Sequence, residues 1–214
     1  LDREEKVEAQ VLMNQRCGLK REVISWETAC KIFPLLDTKQ QFAATLCPTD
    51  GDLDVNSLLQ GFLKGARQKG VKISFEAEVE KIVVKNQQIT AVIVDGEQLP
   101  CEVLINAAGA WAGRLGEMAG AFPVPLKPCR RHLLMIKDEK QSTLDLPMVW
   151  NEASGVYLKP ESGGFLLSAC DQEEIEPCDS PVDQKIVESA IDKGIAHFPS
   201  LHTYSLVRAW SGIR

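Results

Sequence analysis

The sequence predicts a mixed fold, an α/β portion combined with an α+β portion, and three observations carry that reading. Asp54 opens a helical stretch in which Leu58, Leu59, Phe62, Leu63 and Ala66 share one face, and alternating Val71, Ile73 and Phe75 follow. That is the helix–strand unit of an α/β layer. Val103-Leu104-Ile105-Asn106 then runs through Ala107, Ala108 and Gly109 into a helical pattern over 111–119. After Gly120 the character changes to short strand-like pieces and one late helix, the pattern of an antiparallel sheet with a helix on it.

Composition sets the limits. The chain has 214 residues, 44% of them apolar and 25% charged, so it has ample length for a core. A formal charge of −6 argues against nonspecific nucleic-acid binding, and Lys127, Arg130 and Arg131 make only a small basic cluster. The seven cysteines are scattered, odd in number and lack CxxC spacing. Free thiols in the cytoplasm or another reducing compartment are therefore expected. No apolar run approaches the roughly 20 residues of a membrane-crossing helix. Leu at position 1 and the stop at Arg214, directly after a polar-aromatic run, read as a piece of a longer protein.

Taken in order, residues 3–15 form a surface helix ended by Gly18, with Val7, Val11 and Leu12 at helical spacing. Val23 and Ile24 are extended. Ser25 caps a helix over 26–33 that Pro34 stops, and a short strand lies near 42–46. The helix begun at Asp54 ends at Gly70, where a C-terminal glycine belongs. Residues 80–94 are a β-meander, with a turn at Asn86-Gln87-Gln88 and a hairpin signal at Asp95-Gly96. Val103–Ile105 reads as a buried strand, because both its faces are apolar.

Beyond the prolines at 123, 125 and 128, strands are predicted at 131–136, 147–150, 156–159 and 165–168, the last two joined by 160–164. Ser180, Pro181 and Asp183 read as N-cap, N1 and N3 of a helix burying Ile186, Val187, Ala190 and Ile191. One more strand is predicted at 204–210.

Little chemistry can be read from spacing. GxGxxG, GxxxxGK[ST] and HExxH are all absent, and the histidines at 132, 197 and 202 form no ligand pair. Gly109, Gly113, Gly116 and Gly120 read as close helix packing and a helix end. Asp50, Asp52 and Asp54 resemble the start of a calcium loop, but the later positions do not follow. The bare 107–109 corner has two readings, a nucleotide site with the helix N-terminus beside it or an ordinary tight strand–helix turn. Tyr157 and Lys159 point to one strand face. Arg208 and Arg214 bracket Trp210, either as carboxylate-gripping guanidinium groups or as surface arginine stacked on indole. No acid–base set emerges, which points to a cofactor as the source of the chemistry.

Several segments in order resemble the D-amino-acid oxidase/sarcosine oxidase (glycine oxidase-like, DAO) superfamily of FAD-dependent amine oxidoreductases. They are Asp50-Gly51-Asp52-Leu53-Asp54, Lys69-Gly70-Val71-Lys72-Ile73, Glu78-Val79-Glu80-Lys81-Ile82, Val103 to Trp111, Pro125 to Arg130, Val156 to Pro160 with Gly163-Gly164, and Trp210 to Arg214.

The resemblance implies part of a FAD/NAD(P)-binding domain interleaved with an antiparallel-sheet substrate domain. Residues 1–48 and 121–207 would belong to the substrate domain. Residues 49–120 would belong to the FAD domain, with the meander 80–102 inserted, and 208–214 would return toward it. By the same resemblance, the Val79 backbone lies against the adenine end of FAD, Ala107, Ala108 and Gly109 pass close to the cofactor, and Trp111 begins the adjoining helix. Tyr157 and Arg214 match residues that hold a substrate carboxylate.

The implied reaction is oxidation of the C–N bond of an amino acid or N-methylated amino acid. Hydride passes to flavin N5, the imine is hydrolysed, and oxygen or an electron-transfer partner reoxidises the flavin. The alternative is a flavin-binding or assembly subunit without catalysis. Arg131 and His132 depart from the glycine and glutamine usual in the family after the arginine matched by Arg130, which places a plain glycine or D-alanine substrate in doubt. The N-terminal glycine loop and the segment after Arg214 are missing from these residues, so this stretch alone is expected to hold FAD weakly and to be inactive.

Overall fold

Capping chemistry decides where the first helices begin in the computed structural model, which describes residues 3–137, 146–161 and 163–214. Helix α1 (Arg3–Arg16) ends before Gly18 at φ +81°, the left-handed position that a glycine enters without steric cost. Strand β1 (Glu22–Ile24) precedes helix α2 (Trp26–Ile32), whose first turn is closed by Ser25 Oγ accepting the Thr28 N–H at 3.1 Å. Strand β2 (Ala44–Leu46) pairs antiparallel with β1. These elements share a unit with everything from Lys127 onward (Leu1–Thr49, Lys127–Arg214), and Asp50–Leu126 forms a second unit.

In the second unit, helix α3 (Val55–Gln68) starts where predicted. The Asp54 carboxylate accepts from the Ser57 N–H at 2.8 Å and from the Ser57 hydroxyl at 2.7 Å. Its apolar face is uncovered among the described residues, with Phe62 71% exposed. The strands predicted at 71–75 and 103–105 do not form. Both stretches lie outside every ladder among the described residues, and Ile105 is 84% exposed. An apolar run specifies which side chains a strand would bury, but a strand also needs a hydrogen-bonded neighbour.

Strands β3 (Val79–Lys85), β4 (Gln88–Val94) and β5 (Glu97–Pro100) make an antiparallel meander around buried Ile82 and Ala91. Asn86, Gln87, Asp95 and Gly96 all take positive φ, which makes both connections the primed turns that match strand twist. One 3₁₀ turn (Gly109–Trp111) leads into helix α4 (Ala112–Met118). Gly120, at φ +65°, ends it as expected, but a Cβ at Gly113 or Gly116 would meet nothing within 4 Å. These two are therefore not the close-packing glycines the sequence implied.

The first unit is built on an antiparallel sheet. Strand β6 (Cys129–Lys137) is followed by β7 (Val149–Asn151), β8 (Val156–Glu161), β9 (Gly164–Ser168) and β10 (Glu173–Glu174). The predicted 160–164 connection includes Ser162, which lies outside the described residues. Helix α5 (Gln184–His197) and strand β11 (Ser205–Ile213) complete the unit. β6 carries β11 along one edge and β9 with β10 along the other, and β8 and β7 continue the sheet beyond β9. The mixed α/β and α+β class predicted from the sequence is the class observed.

Period-2 alternation along β6 sorts its side chains. Arg130, His132, Leu134 and Ile136 are buried, and the residues between them are less so. The core beneath joins Leu134, Leu158 and Leu167 to Val187 and Ala190 of α5, and Phe33 packs edge-on against Phe165 and Phe198. Asp183, rather than Ser180, caps α5: its carboxylate accepts the Lys185 N–H at 2.9 Å, while the Ser180 hydroxyl is engaged by Ser211 at 2.7 Å.

The buried His132 joins strand, loop and helix. Its Nε2 accepts the Asp183 N–H at 2.9 Å, so the proton sits on Nδ1 and is donated to Asp171 at 2.7 Å. Replacing His132 by Leu strips both groups of their partner. The expected loss is about 2–4 kcal/mol, read as a lower urea midpoint.

Candidate functional site

The face of the sheet opposite α5 gathers the polar groups. Tyr157 and Lys159 alternate with buried Val156 and Leu158, and Tyr157 pairs with Ser168 across β8 and β9. Arg131 alternates with His132. Its cross-strand partner is Gly212, with Trp210 opposite Leu133 and Arg208 opposite Met135. Arg214 exchanges both backbone bonds with Cys129 at 2.9 and 3.0 Å. Paired residues share a face, so Arg131, Arg208, Trp210 and Arg214 lie on the Tyr157 side.

The link between β9 and β10 shapes this face. Cys170 adopts φ +51°, a conformation costing a side-chain-bearing residue about 1 kcal/mol, and its N–H donates to Ser168 Oγ at 3.1 Å. The Cys170 and Asp171 carbonyls accept from Arg131 at 3.4 and 3.3 Å. With the Gln172 amide turned to present its oxygen, that oxygen accepts from Arg214 at 2.8 Å and from Arg131 at 3.3 Å. Two guanidinium groups thus meet at one neutral acceptor.

Arg208 takes the duller of its two readings and stacks over Trp210, 5.3 Å from the ring centroid. Burial, and then the nearby Cys170 thiol, raise the Tyr157 phenol above the ordinary 10.0, while the Ser168 hydroxyl, Arg131 and Lys159 pull the other way. The phenol is therefore a neutral donor at physiological pH. Lys159 is paired with Glu161 at 3.1 Å.

Sequence reasoning missed Gln172 and Cys170, and it placed Arg131 only as a departure from a pattern. The alternation of Arg131 with Leu133 and Met135 carried the signal for its face. Nothing local in the sequence marked Gln172, which reaches the arginines through the loop.

In the second unit, Asn106 ties the bare corner together. Its side-chain nitrogen donates to the Ala112 carbonyl at 2.8 Å and its oxygen accepts the Ala108 N–H at 3.3 Å. Ala107 is exposed. Gly109 holds φ +54°, and a Cβ there would meet nothing within 4 Å. Val79 opens β3 half-buried, opposite Val94, and Trp111 is 39% exposed. Among the described residues no cluster suited to a metal ion exists, and no helix is long and apolar enough to cross a membrane.

The chain belongs to the FAD dependent oxidoreductase (DAO) family, whose family model matches residues 1–214. It is 26% identical over 152 residues to the mitochondrial pyruvate dehydrogenase phosphatase regulatory subunit of Mus musculus, covering 70% of this chain and 17% of that protein. It is 25% identical over 243 residues to FAD-dependent oxidoreductase domain-containing protein 1 of Bos taurus, covering 96% of this chain and 49% of that protein. Its fold superposes on the crystal structure of L-proline dehydrogenase from P. horikoshii with a TM-score of 0.87 and 25% identity, covering 99% of this chain and 57% of that one. The chain thus spans half or less of the length of these curated relatives.

The residues present leave bare backbone that FAD could approach. The Gly109 corner leaves exposed backbone with open space where a side chain would stand, as close approach of a flat dinucleotide requires.

The raised Tyr157 value carries a pH dependence. Below the ordinary value of 10.0 the fold keeps all the stability contributed by the protonated phenol, and it loses that contribution as pH rises through the raised value. Titration by tyrosinate absorbance is expected to show one of the two tyrosines ionising above the ordinary range. Tyr157→Phe removes that transition.

Proposed function

We propose that the chain is part of a FAD-dependent oxidoreductase that oxidises the C–N bond of an amino acid or N-methylated amino acid. The observation that carries this reading is the placement of the Tyr157 phenol and the Arg214 guanidinium on one face of the sheet, the first a neutral donor and the second a permanent cation. A carboxylate offers what both can use, a bidentate site for the guanidinium fork and a further lone pair for the phenol. L-proline dehydrogenase, whose fold is shared, is named for a substrate of that kind.

FAD would supply the hydride acceptor, with oxygen or an electron-transfer partner downstream. The backbones of Val79, Ala107, Ala108 and Gly109 would hold the cofactor, with Trp111 opening the adjoining helix. In this reading residues 49–120 serve the cofactor, 1–48 and 121–207 serve the substrate, and 208–214 return toward the cofactor part. The work of Arg214 and Tyr157 is orientation. Fixing the carboxylate fixes where the amine-bearing carbon lies, and a well-placed carbon recovers much of the entropic part of the barrier. The free cysteines suit a reducing compartment.

A second reading keeps the cofactor and drops catalysis, as an assembly or regulatory subunit, and similarity to a protein named as a phosphatase regulatory subunit favours it. One experiment separates the two. In the FAD-loaded protein, anaerobic addition of an amino-acid substrate is expected to bleach the flavin. Arg214→Ala should lower kcat/KM about 100-fold with FAD content unchanged. Unchanged turnover removes Arg214 from the site, and a flavin that no amine or amino acid bleaches favours the regulatory reading.

A further inference from the structure

We infer that the open sheet face takes a substrate bearing two carboxylates, with Arg131 the residue that selects for the second. This rests on the amino-acid reading and narrows it to a dicarboxylic class, either an acidic amino acid or an amine carrying carboxyalkyl arms.

The contrast between neighbouring arginines is the starting point. Arg130 points to the buried side, where Glu173 and Asp183 meet its charge and the Pro181 carbonyl accepts from it at 3.2 Å. Arg131, one residue on, points to the open side and meets only neutral oxygens, from the Cys170 and Asp171 carbonyls and the Gln172 amide. Arg214 reaches the same Gln172 oxygen. Among the described residues neither Arg131 nor Arg214 has a carboxylate within salt-bridge distance. Among the described residues, two groups that stay charged at every accessible pH are therefore held together without a carboxylate partner, in a chain whose net charge is −6.

A single carboxylate pairs with one guanidinium fork and leaves the other charge uncompensated. A ligand with two carboxylates meets both and relieves their mutual repulsion. The space for it exists: Gly212 stands across the strand from Arg131, and a Cβ there would meet nothing within 4 Å. Gly212 itself therefore places no side chain over the guanidinium. The backbone carbonyls that accept from Arg131 also fix its orientation, so little side-chain entropy remains to be lost when an anion arrives.

The test is calorimetric titration of the whole chain with glutarate and with valerate, which share a carbon count and differ by one carboxylate. The wild-type chain is expected to bind glutarate at least about tenfold more tightly, the increment of one further charge-assisted pair. Arg131→Gln should bring the ratio to about one by weakening glutarate much more than valerate, and Arg131→Lys should restore part of the preference, because it keeps the charge and loses the fork. Arg214→Gln should weaken both ligands. Urea midpoints are measured alongside, so that a variant that merely unfolds is recognised and the lysine variant decides.

Equal affinity of the wild-type chain for the two acids, binding of neither, or a glutarate preference that survives in Arg131→Gln overturns the inference. Flavin is not read in this titration. A protein whose flavin an amino acid bleaches, but which shows no preference for the diacid, sinks this inference and leaves the proposed function standing.

Discussion

The bond from His132 Nδ1 to Asp171 ties a strand, a loop and a helix cap of the first unit together. It holds the loop between β9 and β10 against the middle of β6 at 2.7 Å, while the same ring accepts the first N–H offered by the α5 cap at 2.9 Å. With that loop fixed, the Cys170 and Asp171 carbonyls and the Gln172 amide stand where Arg131 and Arg214 reach them. A fully buried imidazole is thus structural on one face of the strand and sets the geometry of the other. Networks of this kind are worth keeping only when every member is satisfied, and here both ring nitrogens are.

Most of the first unit was legible because its signals are local. Alternation in β8, the apolar run of β9, the Ser25 cap and the apolar face of α5 each follow from side chains within a few residues of one another, and the elements formed close to where they were predicted, α5 starting later at its Asp183 cap. The misplaced cap at Ser180 is also instructive. Ser and Asp three residues apart both qualify as N-caps, and the choice fell to Asp183 because Ser211, 31 residues away in sequence, takes the Ser180 hydroxyl. The second unit shows the opposite failure. Val103 and Ile105 have the composition of a central strand, and composition cannot supply the neighbour that would make them one.

The candidate site divides along the same line. Tyr157 and Arg214 stood out first as a strand-face phenol and an arginine beside Trp210, resemblance matched them to carboxylate-holding residues, and strand parity puts them on one face. Gln172 could not, because a loop residue acquires its role only when a distant strand pair delivers two arginines to it. Its neutrality matters more than its presence. A carboxylate at that position would cancel one of the two charges internally and weaken the pull on an external anion, whereas an amide orients both guanidinium groups and satisfies neither charge.

The groups on this face also hold their charge states steadily. Guanidinium does not titrate in the accessible range, and burial with the Cys170 thiol keeps the Tyr157 proton in place to a pH above the ordinary value. The catalytic pH dependence of such a site then comes from the ligand. A carboxylate is ionised throughout the neutral range, but an amine must lose its proton before its carbon can give up a hydride. Anchoring by arginine and neutral tyrosine would leave that amine without a fixed negative partner, so the two guanidinium charges nearby would favour its deprotonation by disfavouring a third positive charge. In the proposed reading, the cations that would hold the acid end of the substrate would thereby lower the proton affinity of its reactive end.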